Sequence, residues 1–401
     1  MRLYNTLSGQ VEEFQPRDGR VGLYVCGITP YDTTHIGHAF TYVVFDVLVR
    51  YLRYQGYQVR YVQNVTDIDD DILRRAAQVG IPWDELARME TARYVQDMAE
   101  LNVLPPDVFP WATQEIATMI EIIQALLERG YAYESGGSVY YAVRADPEYG
   151  KLSKLDYAEM LRTANERGND PDDPNKRDPL DFVLWQAAKP GEPTWDSPWG
   201  PGRPGWHIEC SAMSMRYLGP TVDIHGGGAD LIFPHHESEI AQSEHYTGVK
   251  PFVRIWMHTG MVRLGHEKMS KSLGNLVMVH DVLKRYSADA LRLYLLSFPY
   301  RSSWAYTEEG VAQAEALAQQ LREAAQSNGH SDSPALDPGP WRERFLAAMD
   351  NDLNTPEAIT ALRDLANAIR EARAQGGNIE RAQAALRELA GVLGLTLARR
   401  P

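Results

Sequence analysis

The chain has two cysteines, Cys26 and Cys210, and the second stands near residue types that can bind metals. Cys210 closes the run Trp206-His207-Ile208-Glu209-Cys210, and His235-His236-Glu237-Ser238-Glu239 begins twenty-five residues on. On a helix His235 and Glu239, at i and i+4, share a face. Cys26, Cys210, His235 and Glu239 would form an S₂NO set, which suits Zn²⁺. A cysteine is equally at home as a small buried hydrophobe, and a helical Trp-x-x-x-Cys fits a core, so spacing alone leaves both readings open.

A second group of residues suits phosphate. His35-Ile36-Gly37-His38 stands where a helix begins, and offers imidazole donors and main-chain N–H groups to a polyphosphate. Gly37 lets a planar ring approach the backbone. Lys268 and Lys271 accompany Ser270 and Ser272 on a loop bounded by Gly265 and Gly274. Two such cations can offset developing charge in phosphoryl chemistry, although an exposed lysine pair is more often only a solvated loop. Gly226-Gly227-Gly228 follows a short strand, as backbone does where it nears a ligand or simply turns.

These residues need a scaffold. Val21 to Val25 reads as a buried strand, Phe40 to Tyr54 as a helix, and Tyr57 to Val65, alternating with period two, as a second strand. That spacing predicts a βαβ unit and a parallel sheet, whose carboxyl edge is where ligands bind. Thr66-Asp67-Ile68-Asp69-Asp70-Asp71 opens a further helix, with its carboxylates at the favourable end of the dipole. Trp111 to Gly130 is amphipathic. Tyr131–Tyr133 and Ser138–Val143 read as short antiparallel strands, and 168–179 as loop, which marks an insertion between two halves of a nucleotide-binding sheet. The α/β pattern resumes near Gly205, with strands at Val222–Ile224 and Phe252–His258 and a helix ending near Tyr246. Ser327 to Pro340 has linker composition. Helices are expected over Trp341–Ala374, interrupted near Asn354-Thr355-Pro356, and over Ile379–Gly394.

Composition sets bounds. A chain of 401 residues holds two to three domains. No uncharged apolar run is long enough to span a bilayer, and the N-terminus lacks the regions of a signal peptide. A reduced cysteine pair in the cytoplasm is therefore expected rather than a disulfide. The formal charge of −14 means that any nucleic-acid partner must meet a local basic face.

Taken together, His35-Ile36-Gly37-His38 and Lys268-Met269-Ser270-Lys271-Ser272 resemble the HIGH and KMSKS signatures of class I aminoacyl-tRNA synthetases. Within that class the chain is similar to the cysteinyl-tRNA synthetase family from about Leu3 to Leu395. The resemblance runs through YVCGITPYDTTHIGH, NVTDIDD, KRDPLDFVLW, GRPGWHIECSAMS, DIHGGGADLIFPHHESEIAQSE and EKMSKSLGN. It implies an α/β fold: a Rossmann-like parallel sheet with an inserted connective region and a C-terminal helical bundle. The expected divisions are 1–130 and 202–265 for the two catalytic halves and 131–201 for the insertion. The KMSKS loop and stem-contact helices take 266–326, and a bundle without a separate anticodon domain takes 327–401.

The resemblance also implies roles. One Zn²⁺ per chain would be held by Cys26, Cys210, His235 and Glu239 and would bind the thiolate of substrate L-cysteine. His35, His38, Lys268 and Lys271 would be catalytic around ATP, which arrives with Mg²⁺. Gly37, Gly226, Gly227, Gly228, Asp230 and Lys271 would contact the nucleotide. Gly27, Thr66 and Trp206 would line the cysteine pocket, with His258 a further candidate. The expected activity is ATP-dependent formation of cysteinyl-adenylate and transfer to tRNA(Cys), by a cytoplasmic monomer without membrane attachment. Two other readings compete. The chain's length and the segments CGITPYD and ERGNDPDDPNKRDPLD resemble the cysteine–glucosaminyl-inositol ligase of mycothiol synthesis, which passes the same adenylate to an amino sugar. A catalytically silent nucleotide-binding paralogue is the other. Glu239, His225 and the intact lysine loop favour tRNA as the acceptor. Asp71 departs from the family, which carries lysine there.

Overall fold

The alternating segments on either side of the first predicted helix become neighbouring strands, Arg20–Ile28 and Gln58–Val65, of a four-stranded sheet. The computed structural model describes every residue except 32–33, 266, 269–273, 328–333 and 399–401, with 267–268 described through the backbone alone. The strand order is Val253–Thr259, Val222–Gly228, Arg20–Ile28, Gln58–Val65, and every neighbouring pair is parallel. From the centre, the helix Ile36–Tyr54 leads outward to one edge, and the helix Glu237–Thr247 leads outward to the other. The direction of winding reverses between Arg20–Ile28 and Val222–Gly228. Loops leaving those two strands part, and a crevice opens at their carboxyl ends.

Side chains alternate across the central strand as a period of two requires. Leu23 and Val25 enter the core under Ile36–Tyr54, whereas Tyr24 and Cys26 face the opposite layer, made by Ile116–Glu128, Trp206–Leu218 and Glu237–Thr247. The first helix begins at Ile36, four residues before the apolar run suggested. His35 caps it, its Nδ1 accepting from the N–H groups of Gly37 (3.1 Å) and His38 (3.4 Å).

The glycine run expected to leave the strand at Ile224 instead continues it to Gly228. His225 to Gly228 pair in register with Trp256 to Thr259. Crowding is the reason for glycine there: a Cβ on Gly226 would lie 2.2 Å from Phe45 Cζ and 2.4 Å from the Met257 carbonyl.

Between the two halves, Ala132–Ser135, Ser138–Tyr141, Phe182–Ala187 and Gly202–Pro204 form an antiparallel meander. The last two strands were not foreseen, because proline, aspartate and glycine surround them; pairing of Phe182–Ala187 with Ser138–Tyr141, and of Gly202–Pro204 with Phe182–Ala187, supplies what their local sequence lacks. The C-terminal region holds Glu308–Gln326, Gly339–Asp350, Thr355–Ala374 and Glu380–Val392. Asn354 caps the third of these and Pro356 follows in its first turn, which accounts for the break read near those residues.

These helices share one core with Ile36–Tyr54. Arg292, fully buried, pairs with Asp46 (2.5 Å) and donates to the carbonyls of Leu393 (2.9 Å) and Leu101 (3.0 Å), tying the bundle to the sheet's first helix. Among the described residues, no helix is long and apolar enough to cross a membrane.

Candidate active site

Cys26 lies near the carboxyl end of the central strand, and its neighbour is glycine because the adjacent strand presses on it. A Cβ on Gly27 would overlap the Asn64 carbonyl, and Gly27 N–H donates to Asn64 Oδ1 (2.8 Å). Cys210 comes from the second turn of Trp206–Leu218. His235 belongs to a wide turn, Ile232–His236, that runs into Glu237–Thr247, and Phe233 in that turn is extended (φ −137°, ψ 135°). The helix then places Glu239 one turn beyond His235.

The ligand atoms of Cys26, Cys210, His235 and Glu239 all lie within 4.8 Å of one another. The four residues are 6, 1, 1 and 0% exposed. The two sulfurs are 3.6 Å apart and both cysteines are free thiols. Cys26 Sγ is 3.5 Å from Glu239 Oε1, and His235 Nε2 is 3.2 Å from the same oxygen. That His235–Glu239 approach lacks hydrogen-bond geometry, so the buried Nε2 has no proton-sharing partner.

Further histidines stand close behind. His225 Nε2 and Glu239 Oε2 are 2.7 Å apart, and His236 Nε2 is 3.2 Å from Cys26 Sγ. His225 and His236 form a second possible ligand group with Cys26 and Glu239. His236 Nδ1 meets His258 Nε2 (2.7 Å), and His258 Nδ1 meets Thr6 Oγ1 (2.7 Å). His258 is therefore one layer removed from the cysteines.

Burial governs the charge state of this cluster. It pushes the Cys26 thiol and the Glu239 carboxyl well up, with Cys210 reinforcing the effect on Cys26. It pushes His235 and His236 well down, and His225 and His258 down to about 3. A divalent cation reverses the balance for sulfur and carboxylate, because it favours the anionic ligand. The donor set, the converging atoms and the bare Nε2 together suit a metal ion, so these residues could hold one.

Through Cys26 the cluster meets the floor of a cavity of about 1280 Å³; Cys210, His235 and Glu239 do not themselves line it. Cys26, Gly27, His35, Gly37, His38, Trp206, Gly228 and Asp230 line it, so half of the sequence-predicted residues come together around one cavity. His35 and His38 stack with centroids 3.8 Å apart. Because His35 Nδ1 accepts main-chain hydrogen bonds, the ring's proton belongs on Nε2.

Other predicted residues also stand apart from the lining. Gly226 and Gly227 are buried inside their strand, and Thr66 is buried beside Asn64, its hydroxyl accepting from Asn64 Nδ2 (3.2 Å). Lys268 is in the short strand Glu267–Lys268, which pairs with Val262–Leu264. Lys271, with Ser270 and Ser272, lies outside the described residues.

Sequence reasoning gave no role to Asn64 or His207. Asn64 Oδ1 is 3.7 Å from Cys210 Sγ, and His207 Nδ1 is 2.9 Å from His235 Nδ1. The signal for His207 was its place three residues before Cys210, since one turn of helix puts both on the same side.

Comparison with known proteins agrees with this geometry. The profile for the tRNA synthetases class I (C) catalytic domain matches residues 13–316, and that for the DALR domain matches 344–398. The cysteine--tRNA ligase of Dehalococcoides mccartyi is 53% identical over 401 residues, covering 99% of this chain and 86% of the relative. That of Thermodesulfovibrio yellowstonii is 50% identical, covering 90% and 77%. Among solved structures, Mycobacterium tuberculosis methionyl-tRNA synthetase in complex with methionyl-adenylate has a TM-score of 0.66 at 18% identity, covering 93% of this chain and 88% of that one. At that identity the likeness shows the fold.

Proposed function

The chain belongs to the cysteinyl-tRNA synthetase family of class I aminoacyl-tRNA synthetases, and we propose that it activates L-cysteine with ATP and transfers it to tRNA(Cys). The observation that carries this reading is the convergence of two thiols, an imidazole and a carboxylate at the switch point of the sheet, where Cys26 lines the cavity that His35 and His38 also line. The amino-sugar ligase and the silent paralogue are not favoured. Relatives matching nearly the whole chain are named cysteine--tRNA ligases, and a DALR domain follows the catalytic one.

Cys26, Cys210, His235 and Glu239 would hold one Zn²⁺. Bound there, it supplies a soft acid for the sulfur of cysteine, which the hydroxyl of serine does not match. Gly27 and Trp206 shape the amino-acid seat, and Thr66 supports it from behind. Gly228 and Asp230 contact the nucleoside, on a strand that Gly226 and Gly227 allow to pack closely. His35 and His38, with the N–H groups at the start of their helix, bind the phosphates, helped by Gly37; Lys268 and Lys271 offset the charge of the departing pyrophosphate.

The cysteine carboxylate attacks the α-phosphorus of ATP, and the bond to the bridging oxygen breaks, giving adenylate and pyrophosphate. A ribose hydroxyl at the tRNA 3′ end then attacks the adenylate carbonyl, and AMP leaves. The protein's part is to align the reactants and meet developing charge. Residues 1–130 and 202–265 serve as the two catalytic halves and 131–201 as the connective insertion. Residues 266–326 form the loop and stem-contact region, and 327–401 the bundle. The free thiols suit the cytoplasm, and the chain acts as a monomer.

Pyrophosphate exchange tests the reading. Exchange is expected with cysteine and ATP and to be far weaker with serine, and the loaded enzyme is expected to charge tRNA(Cys). Exchange that does not depend on cysteine overturns activation. Transfer to glucosaminyl-inositol but not to tRNA overturns the acceptor.

A further inference from the structure

We propose that His207 is a positioning residue that fixes the tautomer of His235 and so aims the His235 Nε2 lone pair at the two cysteines and Glu239; this rests on the metal role given to those residues above. The two rings share one hydrogen bond, Nδ1 to Nδ1 at 2.9 Å. One proton lies between them, and either ring can carry it. If His207 donated, neutral His235 would hold its proton on Nε2, which faces Glu239 Oε1 at 3.2 Å without hydrogen-bond geometry and without another partner. A buried N–H would then be left unmet. If His235 donates, its Nε2 is a bare lone pair within reach of the quartet, and His207 keeps its own proton on Nε2.

The surroundings hold both rings in that relation. Trp206 stacks on His235 with centroids 4.2 Å apart and planes 20° apart. Phe182, from the insertion, meets the His207 ring edge-on at 5.2 Å. Gln242 Nε2 donates to the His207 carbonyl (2.8 Å) from the same helix that carries Glu239. The acceptor for a metal-binding imidazole is thus a second imidazole, in the place that a carboxylate or carbonyl more often takes.

The test titrates the purified full chain with zinc against a chromogenic chelator, with no substrate present. His207→Leu removes the acceptor and is expected to weaken zinc about 10- to 100-fold. His207→Asn puts an amide oxygen near the place of Nδ1 and is expected to hold zinc within about threefold of the unmodified chain. A His207→Leu chain that binds zinc as tightly as the unmodified one overturns the proposal. So does His207→Asn losing as much as His207→Leu, because ring packing rather than the acceptor would then be responsible. Failure of the metal reading itself looks different: the unmodified chain would bind no zinc.

Discussion

The floor and the phosphate side of the cavity are built in opposite ways. Cys26, Cys210, His235 and Glu239 come from three separate segments spanning more than half the chain, and all four are buried. His35 and His38 lie within one turn of a single helix, and both are half-buried. The floor owes its geometry to the topology of the sheet and the helices packed on it, with His207 and Trp206 set against His235. The phosphate side owes its geometry to a cap: His35 accepts from two N–H groups that any helix leaves unmet. Burial raises the cost of charge on the floor, which suits thiolates held by a cation. Partial exposure leaves the phosphate side able to meet a ligand that arrives with its own water and cation.

The contrast can be broken from the floor first. Cys210→Ser replaces a soft ligand by a hydroxyl at a buried site. Zinc content is expected to fall below stoichiometric, and cysteine-dependent pyrophosphate exchange to fall by at least about 10³-fold. Metal analysis and exchange on one preparation check this, and full zinc occupancy in the variant would remove Cys210 from the ligand set. From the other side, His38→Ala is expected to lower exchange kcat about 10²-fold while zinc content stays unchanged. Zinc loss in that variant would mean that the two walls are one unit and that the contrast is wrong.

The same difference explains what could be read from sequence. His35-Ile36-Gly37-His38 is contiguous, so residue types, the helix start and the phosphate chemistry were legible together. The four floor residues were legible as types, and only His235 and Glu239 also by spacing. Their meeting requires the reversal of winding between Arg20–Ile28 and Val222–Gly228, and no local pattern encodes it. His235 and His236 are adjacent, and both approach the cysteines; the wide turn at Ile232–His236 decides which ring faces which partner. His207 went unread for a related reason, since its partner is twenty-eight residues away.

Gly226-Gly227-Gly228 continues its strand where the sequence suggested the strand would end. At Gly226 glycine reports crowding by Phe45 and Met257 rather than a turn. Gly226→Ala is accordingly expected to destabilise the fold by about 2 kcal/mol, roughly a 30-fold change in the folding equilibrium, by overpacking. Urea unfolding measures it. Unchanged stability together with a raised KM for ATP would return that residue to direct nucleotide contact.

The smallest effect is expected at Asp71, where the family carries lysine. A carboxylate beside a phosphate site is unfavourable unless something offsets it. Here Tyr31 donates to Asp71 Oδ2 (2.7 Å), and Arg74 pairs with Oδ1 (2.6 Å). Tyr31, Asp71, Arg74 and Arg75 all line the cavity. The Asp71–Arg74 pair is largely exposed, and such pairs are worth at most about 1 kcal/mol. Asp71→Asn removes one negative charge and keeps an acceptor for Tyr31. Its KM for ATP is therefore expected to shift by no more than about fivefold, with kcat for exchange and zinc content unchanged. An improvement much beyond that would mean that Asp71 repels the phosphates. A loss much beyond it would give the Tyr31–Asp71–Arg74 group a part in holding them, and the phosphate side would then extend well past the single turn that carries His35 and His38.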